Sequence, residues 1–429
     1  MRMGRRQNEQ LKFGVLLNST GMHLGAWKRE AAKPEQALEQ SYLRHLAEWA
    51  ERGKFDFIFL ADSLFYMVDR PAITSAAVRL EPYVMLSALS VWTNRIGLAA
   101  TVSTSFNEPF HLAESFAELD TLSQGRAAWN IVTSVSDMEA QNYSRDKINE
   151  HSKRYEVADE FVELVGKLWD SVDPIEHKGE HFSVSGALPY AAIPQGRPVY
   201  IQAGSSPVGQ IFAAKHAEVV FTQLSTLSEA KQFYANVKSG VERAGRNPDD
   251  LKILPALAPI LGATVEEAKQ KEDELHSLVD PQIGLRMLSS LFNHDLSVYP
   301  LDGPLPAIAE TNGIKSTVKV MESLGINDGW TIRQISQRFA GTRGNQLFVG
   351  TPQQLADHMQ EWFEERGCDG FNLTFPILPD GLEYFVEHVV PILQERGIFR
   401  EDYSGTTLRE HLAQSKVEAQ KATGGNQND

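Results

Sequence analysis

The stretch IGLAATVSTSFNEPFHLAESFAELDTLSQGRAAWNIVTS, residues 96–134, decides the fold. It holds an apolar run (96–103), a helical pattern from Pro109 to Leu122, and a second apolar run (127–134). Both runs are near-continuously apolar, which suits parallel strands covered on both faces. The unit recurs on either side. Strands are expected at 11–18, 55–62, 198–204, 218–224, 251–262 and 369–376 as well. Helices are expected at 35–52, 82–92, 150–169, from 207, at 228–244 and at 382–396. In the first of these, Leu43, Leu46, Ala47 and Ala50 share one face. Eight strand–helix units in one chain favour an α/β fold of the (β/α)8 TIM-barrel type over an open sheet.

Two stretches break the rhythm. Residues 175–188 read as a β-hairpin excursion. Residues 285–344, between the seventh and eighth strands, are rich in Gly, Pro and Asn, with an extended loop at 293–306 between flanking helices. A long insertion of this kind reads as a lid or a binding element. The length of 429 residues would allow about three domains. The barrel replaces that with a single domain over 1–429, carrying the 285–344 insertion and a C-terminal extension at 399–429.

Composition sets further bounds. Hydrophobic residues at 42% and charged residues at 23% are those of a globular chain. The net charge of −15 argues against a broad basic face for nucleic acid. Cys368, the one cysteine, excludes an internal disulfide and any multi-cysteine metal site. It suits a cytoplasmic protein. No targeting segment or membrane span is expected. HExxH, P-loop, GxGxxG and G-x-S-x-G motifs are absent, and the 12 histidines are scattered. No metal site is therefore expected.

Barrel chemistry sits at the C-terminal ends of strands. That selects Asp62, residues 103–105, residues 130–134 and residues 204–206. Most are small, neutral hydrogen-bonding residues, a set suited to a large neutral heterocycle with a phosphate. In QAGSSP (202–207) a strand runs into Gly204, then Ser205 and Ser206, then a helix start, an arrangement that binds phosphate or simply caps the helix. His151 and Tyr155 are four apart on one helix face and can reach one ligand, or pack as surface His and core Tyr. Trp27 and Trp129 read as anchoring or core residues. Arg79, Arg338 and Arg343 could meet carboxylates or simply lie on the surface.

Several segments together resemble one family. These are GAW (25–27), ERGKFDFIFLAD (51–62), VSTSFNEPFH (102–111), GRAAWNIVTS (125–134), QAGSS (202–206), DLSVYPLDGPLP (295–306), VGTP (349–352) and FVEHVVPILQERGIFREDYSGTTL (385–408). In this order they are similar to the bacterial-luciferase-like flavin-dependent monooxygenases, in the group of nitrilotriacetate and dibenzothiophene sulfone monooxygenases. The resemblance covers nearly the whole chain. It implies a luciferase-like barrel that takes reduced FMN from a separate NAD(P)H:flavin reductase. O2 then oxygenates a small organic substrate by way of a flavin (hydro)peroxide, with oxidation next to N or S and C–N or C–S cleavage. It implies that Asp62 and the hydroxyls of Thr104 and Ser105 lie near the flavin ring, with Asn130 pointing to it. His151 and Tyr155 would lie near the ribityl chain and phosphate, and Ser205 and Ser206 on the phosphate. It raises His23, in the first loop, as a hydrogen-bond or proton donor. A homodimer or homotetramer is expected from the family alone. Two other readings stand beside this one: a deazaflavin-dependent dehydrogenase on the same barrel, and a non-catalytic flavin-binding protein.

Overall fold

The computed structural model describes residues 6, 9–29, 32–65, 80–189, 193–292, 294–306, 321–322 and 325–413. In chain order the strands are β1 (Lys12–Leu16), β2 (Phe57–Leu60), β3 (Gly97–Ser103), β4 (Ala127–Val132), β5 (Ile175–Lys178), β6 (Ser183–Gly186), β7 (Val199–Gln202), β8 (Val219–Thr222), β9 (Lys252–Leu261), β10 (Gln346–Gly350) and β11 (Gly370–Leu373). Eight of them close a parallel barrel in the order β1-β2-β3-β4-β7-β8-β9-β11, with β11 returning to β1. The register is tight where the opening stretch predicts it: Leu98 to Ser103 pair one for one with Ala127 to Val132.

The barrel interior is filled by Phe57, Phe59, Ala99, Ala128, Val199, Ile201, Val219, Phe221 and Leu254. Gly14 belongs to this packing, because a Cβ there would stand 2.4 Å from the Phe57 ring. Leu408 and Leu412, from the helix Leu408–Ala413, join the same cluster and plug the floor. Beside them Arg400 forms a fully buried ion pair with Asp56, whose other oxygen accepts the Phe13 N–H at 2.6 Å. The outer faces of the strands and the helix ring form the larger core, with Trp129 fully buried among Phe116, Phe161 and Tyr200.

The antiparallel hairpin expected at 175–188 is β5–β6. The Glu160 carboxylate, on the helix His151–Asp170, accepts the N–H groups of Glu180, His181 and Phe182 and so fastens the turn. Three expectations need correction. The first helix starts at Gln40 instead of 35, after a separate 3-10 turn, Pro34–Gln36. The last expected helix is two, Asp380–His388 and Val390–Glu395. The break falls where Pro391 can offer no N–H and crowds the preceding turn. Finally, β10 is a strand the sequence pattern does not announce. It lies alongside the C-terminal half of β9, Leu257 to Leu261, outside the eight-strand ring.

Between β9 and β11 the chain makes its long excursion, through the helices Val265–Ser277, Pro281–Phe292 and Ile332–Thr342, then β10 and the helix Pro352–Glu364. Leu285, Leu288, Phe292, Leu296, Ile332 and Ile335 form part of a hydrophobic cluster of its own, separate from the barrel core. The loop expected at 293–306 includes a short 3-10 turn, Leu296–Val298, and one bridge from Pro304 to Thr331. Residues 307–320 of the expected insertion and 414–429 of the expected extension lie outside the described residues. Among the described residues no helix is long and apolar enough to cross a membrane.

Candidate active site

Because all eight barrel strands are parallel, their C-terminal ends share one rim. His23 follows β1, Asp62 follows β2, Thr104 and Ser105 follow β3, Asn130 lies in β4, and Ser205 and Ser206 follow β7. These five strands are consecutive around the barrel. The expected residues therefore occupy one continuous arc of the mouth.

The turns after β3 and β4 are laced together. The Ser105 hydroxyl donates to the Thr133 carbonyl at 2.8 Å, and Thr104 N–H donates to the Val132 carbonyl at 2.9 Å. Ser103 and Ser134 share a hydroxyl–hydroxyl bond of 2.9 Å, with Ser134 in the left-handed region at φ 56°. Thr104 is buried, so its hydroxyl, 3.3 Å from the Val132 carbonyl, works chiefly inside this turn. Asn130 is 2% exposed, and its amide NH2 donates to Thr101 at 2.9 Å. Its Oδ1 has no hydrogen-bond partner. A buried carbonyl left this way costs roughly 1–3 kcal/mol, so it is a natural receptor for a ligand N–H.

The end of β7 forms a cradle. Ser206 caps the helix Pro207–His216, accepting the Gly209 N–H at 3.1 Å. Tyr155 reaches over from the helix His151–Asp170, with the Gln202 amide 3.4 Å from its hydroxyl. Burial raises the Tyr155 pKa, while hydrogen bonds from Ser206 and Gln202 oppose that rise. A Cβ on Gly204 would stand 2.2 Å from the Gln202 amide and 2.5 Å from the Tyr155 hydroxyl, so these two groups can close over the strand end only because residue 204 has no side chain. His151, exposed at the first turn of its helix, packs its ring 5.1 Å from that of Tyr155. Ser205 is exposed, with its carbonyl accepting from Gln210 at 2.9 Å. A helix N-terminus flanked by the Ser205 and Ser206 hydroxyls suits a phosphate. Gln202, 3% exposed with an unpartnered Oε1, is a member of this cradle that the sequence reading passed over.

Asp62 is half-buried and turns back on its own loop, accepting the Ser63 N–H at 2.7 Å. His23 is 1% exposed and sits under the excursion. Its Nδ1 accepts the Gly25 N–H at 3.0 Å, which places the remaining proton on Nε2, where no partner is present. A Cβ on Gly341 would meet that Nε2 at 2.8 Å. Burial, then His276 and Arg343, push the His23 pKa down to about 3. The ring is thus a neutral hydrogen-bond donor rather than an imidazolium acid.

Arg338 ion-pairs with Glu272 at 3.2 Å on the excursion, and Arg79 lies outside the described residues. Arg343 instead lines a cavity at the ends of β1 and β2, with Leu16, Asn18, Met22, Leu60 and Met85 among its walls. In sequence it is only a cation in GTRG; its place at the mouth follows from where the helix Ile332–Thr342 ends.

The orphaned Asn130 carbonyl, the neutral hydroxyl-lined rim and the serine-capped helix start at Pro207 all fit a flavin mononucleotide. Comparison with known proteins agrees. Residues 22–370 match the model of the luciferase-like monooxygenase family. The chain is 46% identical to N-acetyl-S-(2-succino)cysteine monooxygenase of Bacillus subtilis (strain 168), over 96% of this chain and 98% of that one. It is 41% identical to nitrilotriacetate monooxygenase component A of Aminobacter aminovorans, over 94% and 96% respectively. The EDTA monooxygenase structure from Chelativorans sp. BNC1 superposes with a TM-score of 0.79 at 31% identity, covering 94% of this chain and 98% of that one. A closed parallel barrel with this rim, matched in sequence and structure over most of its length, makes the chain a flavin-dependent oxidoreductase that belongs to the luciferase-like monooxygenase family.

Proposed function

We propose that this monooxygenase takes reduced FMN from a separate NAD(P)H:flavin reductase and, with O2, oxygenates a small organic molecule next to sulfur or nitrogen, leading to C–S or C–N cleavage. The observation that carries the reading is the cluster of Gln202, Tyr155 and Ser206 packed on Gly204 at the N-terminus of the helix Pro207–His216. Two similar proteins are named for a thioether acid and a tertiary amine acid, which supports the choice of atom.

The bound flavin would supply the oxygen-activating chemistry. The protein's part is to bind, orient and exclude water. Ser205, Ser206, Tyr155 and His151 would hold the phosphate and ribityl end. Asn130, Thr104, Ser105 and Asp62 would face the ring, with Asn130 accepting from a ring N–H. His23 would donate its Nε2–H to an oxygen atom at the reacting end. Residues 285–344 would close over the site as a lid on one barrel domain spanning 1–429, with 399–429 as an extension. We assign the enzyme to the cytoplasm as a homodimer or homotetramer.

Anaerobic titration with reduced FMN tests the cradle: Asp62→Ala and Ser206→Ala should each weaken binding. Unchanged affinity in both would sink it. Oxygen uptake with reduced FMN and N-acetyl-S-(2-succino)cysteine tests the reaction. Reduction of a deazaflavin without O2 uptake would instead support a dehydrogenase, and tight oxidised FMN with no turnover a binding protein.

A further inference from the structure

We propose that Met22 is a site of self-oxidation: when no substrate is bound, the oxygen atom otherwise delivered to substrate goes to the Met22 sulfur and makes a sulfoxide. This rests on the monooxygenase reading and extends it to a residue of the chain itself. Three observations carry it. The first is placement. Met22 packs with Leu16 and Phe59 in the cluster that fills the barrel interior, and it also lines the cavity at the ends of β1 and β2. Its backbone is fixed there. The Met22 N–H donates to the Phe375 carbonyl at 2.9 Å, and the N–H of His23, the next residue, donates to the Pro376 carbonyl at 3.1 Å. Gly21, at φ 117°, permits this approach, because a Cβ there would stand 2.4 Å from the Pro376 oxygen. The loop after β1 is thus stitched to the loop after β11, with a thioether held over the mouth.

The second is chemistry. The Asn18 amide donates to the Met22 sulfur at 3.4 Å, and Asn18 lines the same cavity. A thioether is a weak acceptor, and that bond engages one of its two lone pairs. The other lone pair is the nucleophile for oxygen. A sulfoxide oxygen is a stronger acceptor than the sulfur, so the same amide would hold the product. In the step, one atom of O2 bonds to the sulfur and the other leaves as water. The two electrons and two protons come from reduced FMN, which returns to oxidised FMN.

The third is shielding. Met22 is 7% exposed, whereas Met138 is 44% exposed. Oxidation by dissolved peroxide follows exposure, so a free oxidant reaches Met138 first. Only oxygen released inside the mouth reaches Met22 first. The order in which these two methionines react therefore reports where the oxygen comes from. The sulfoxide would also set a polar group among Leu16, Leu60 and Met85, so turnover without substrate would close the site until the sulfur is reduced again.

The test incubates the full chain in air with FMN, NADH and a flavin reductase, with catalase present to remove free H2O2. Peptide mass spectrometry then reads an added oxygen atom at each methionine. Met22 should gain oxygen several-fold faster than Met138, with the atom drawn from isotopically labelled O2. H2O2 added without FMN should reverse that order. An excess of N-acetyl-S-(2-succino)cysteine should suppress the Met22 product, and Asn18→Leu should lower it. Met22→Leu, which conserves volume, should abolish it and leave reduced-FMN binding unchanged. Equal oxidation of Met22 and Met138 during turnover, or the same order with H2O2 alone, overturns the proposal. An enzyme that oxygenates the added thioether and spares Met22 overturns it alone. One that transfers oxygen to neither overturns the monooxygenase reading as well.

Discussion

The two halves of the mouth are built on different principles. The side proposed for the flavin, from β3 round to β7, is made by strand ends: short turns laced to each other by hydroxyl and backbone bonds. Its geometry is that of the barrel itself. The opposite side, with His23 and Arg343, is held by the excursion between β9 and β11, which carries its own hydrophobic cluster. Contacts such as Leu24 N–H to the Ala340 carbonyl at 3.4 Å tie it down. One side cannot move unless the barrel opens, whereas the other can loosen while the barrel stays shut. On the proposed function, rigid binding of a shared cofactor and adjustable binding of a particular substrate would fall on the matching sides.

That contrast can be broken most severely at Leu288, fully buried in the excursion's cluster. Leu288→Ala should cost about 2–5 kcal/mol there, seen as faster amide exchange across Pro281–Phe292 and Ile332–Thr342. Protection in β3, β4 and β7 should stay as it was, and reduced FMN should still bind. Concerted loss of protection in the strands would show that the two sides are one unit. Gly204→Val is the reciprocal change. Displacing Gln202 and Tyr155 should weaken reduced FMN by about 100-fold, roughly 2.7 kcal/mol, with the excursion's exchange rates unchanged.

A pH series sharpens the comparison at smaller scale. The His23 value near 3 lies below that of a free imidazole. As pH falls below about 6.5, the unfolded chain takes up a proton that the folded ring refuses, so stability falls through the window down to pH 3. Between pH 6.5 and 5 this amounts to about 1–2 kcal/mol. His411 on the barrel floor, pushed down to about 4 by burial and Arg400, contributes in the same direction. Denaturant midpoints at pH 7 and 5 should therefore show a reduced, not abolished, pH dependence in His23→Asn. An unaltered dependence would mean that His23 is solvated. Least in size, Ser206→Ala should cost about 1 kcal/mol of helix capping, read as a small fall in Tm beside the weakened flavin binding.

The side from β3 to β7 was also the legible side. Apolar runs such as 96–103 and 127–134 state their strands outright, and the residues at their ends are then fixed by the fold. QAGSSP displays both the glycine and the cap. Gln202 was missed because a glutamine closing a strand gives no sign of whether it faces ligand or neighbour. The other side resists reading for physical reasons. In β10 the residues Gln346 to Val349 are only half-buried and bond along part of one strand, so the alternation is weak. Arg343 reaches the mouth only because a distant helix stops where it does. The protonation of His23 depends first on its burial, then on His276 and Arg343, both remote in sequence.

The floor plug bears on how the molecule is made. Leu408 and Leu412 complete the interior layer, and Arg400 neutralises Asp56 beneath β2. All three follow the eighth barrel strand in the chain. While the ribosome is still adding them, the eight strands already made can associate only around an open floor, with the Asp56 carboxylate lacking its counter-charge. Final closure is thus a late step of synthesis, and a nascent chain paused before residue 400 is the species most in need of a chaperone.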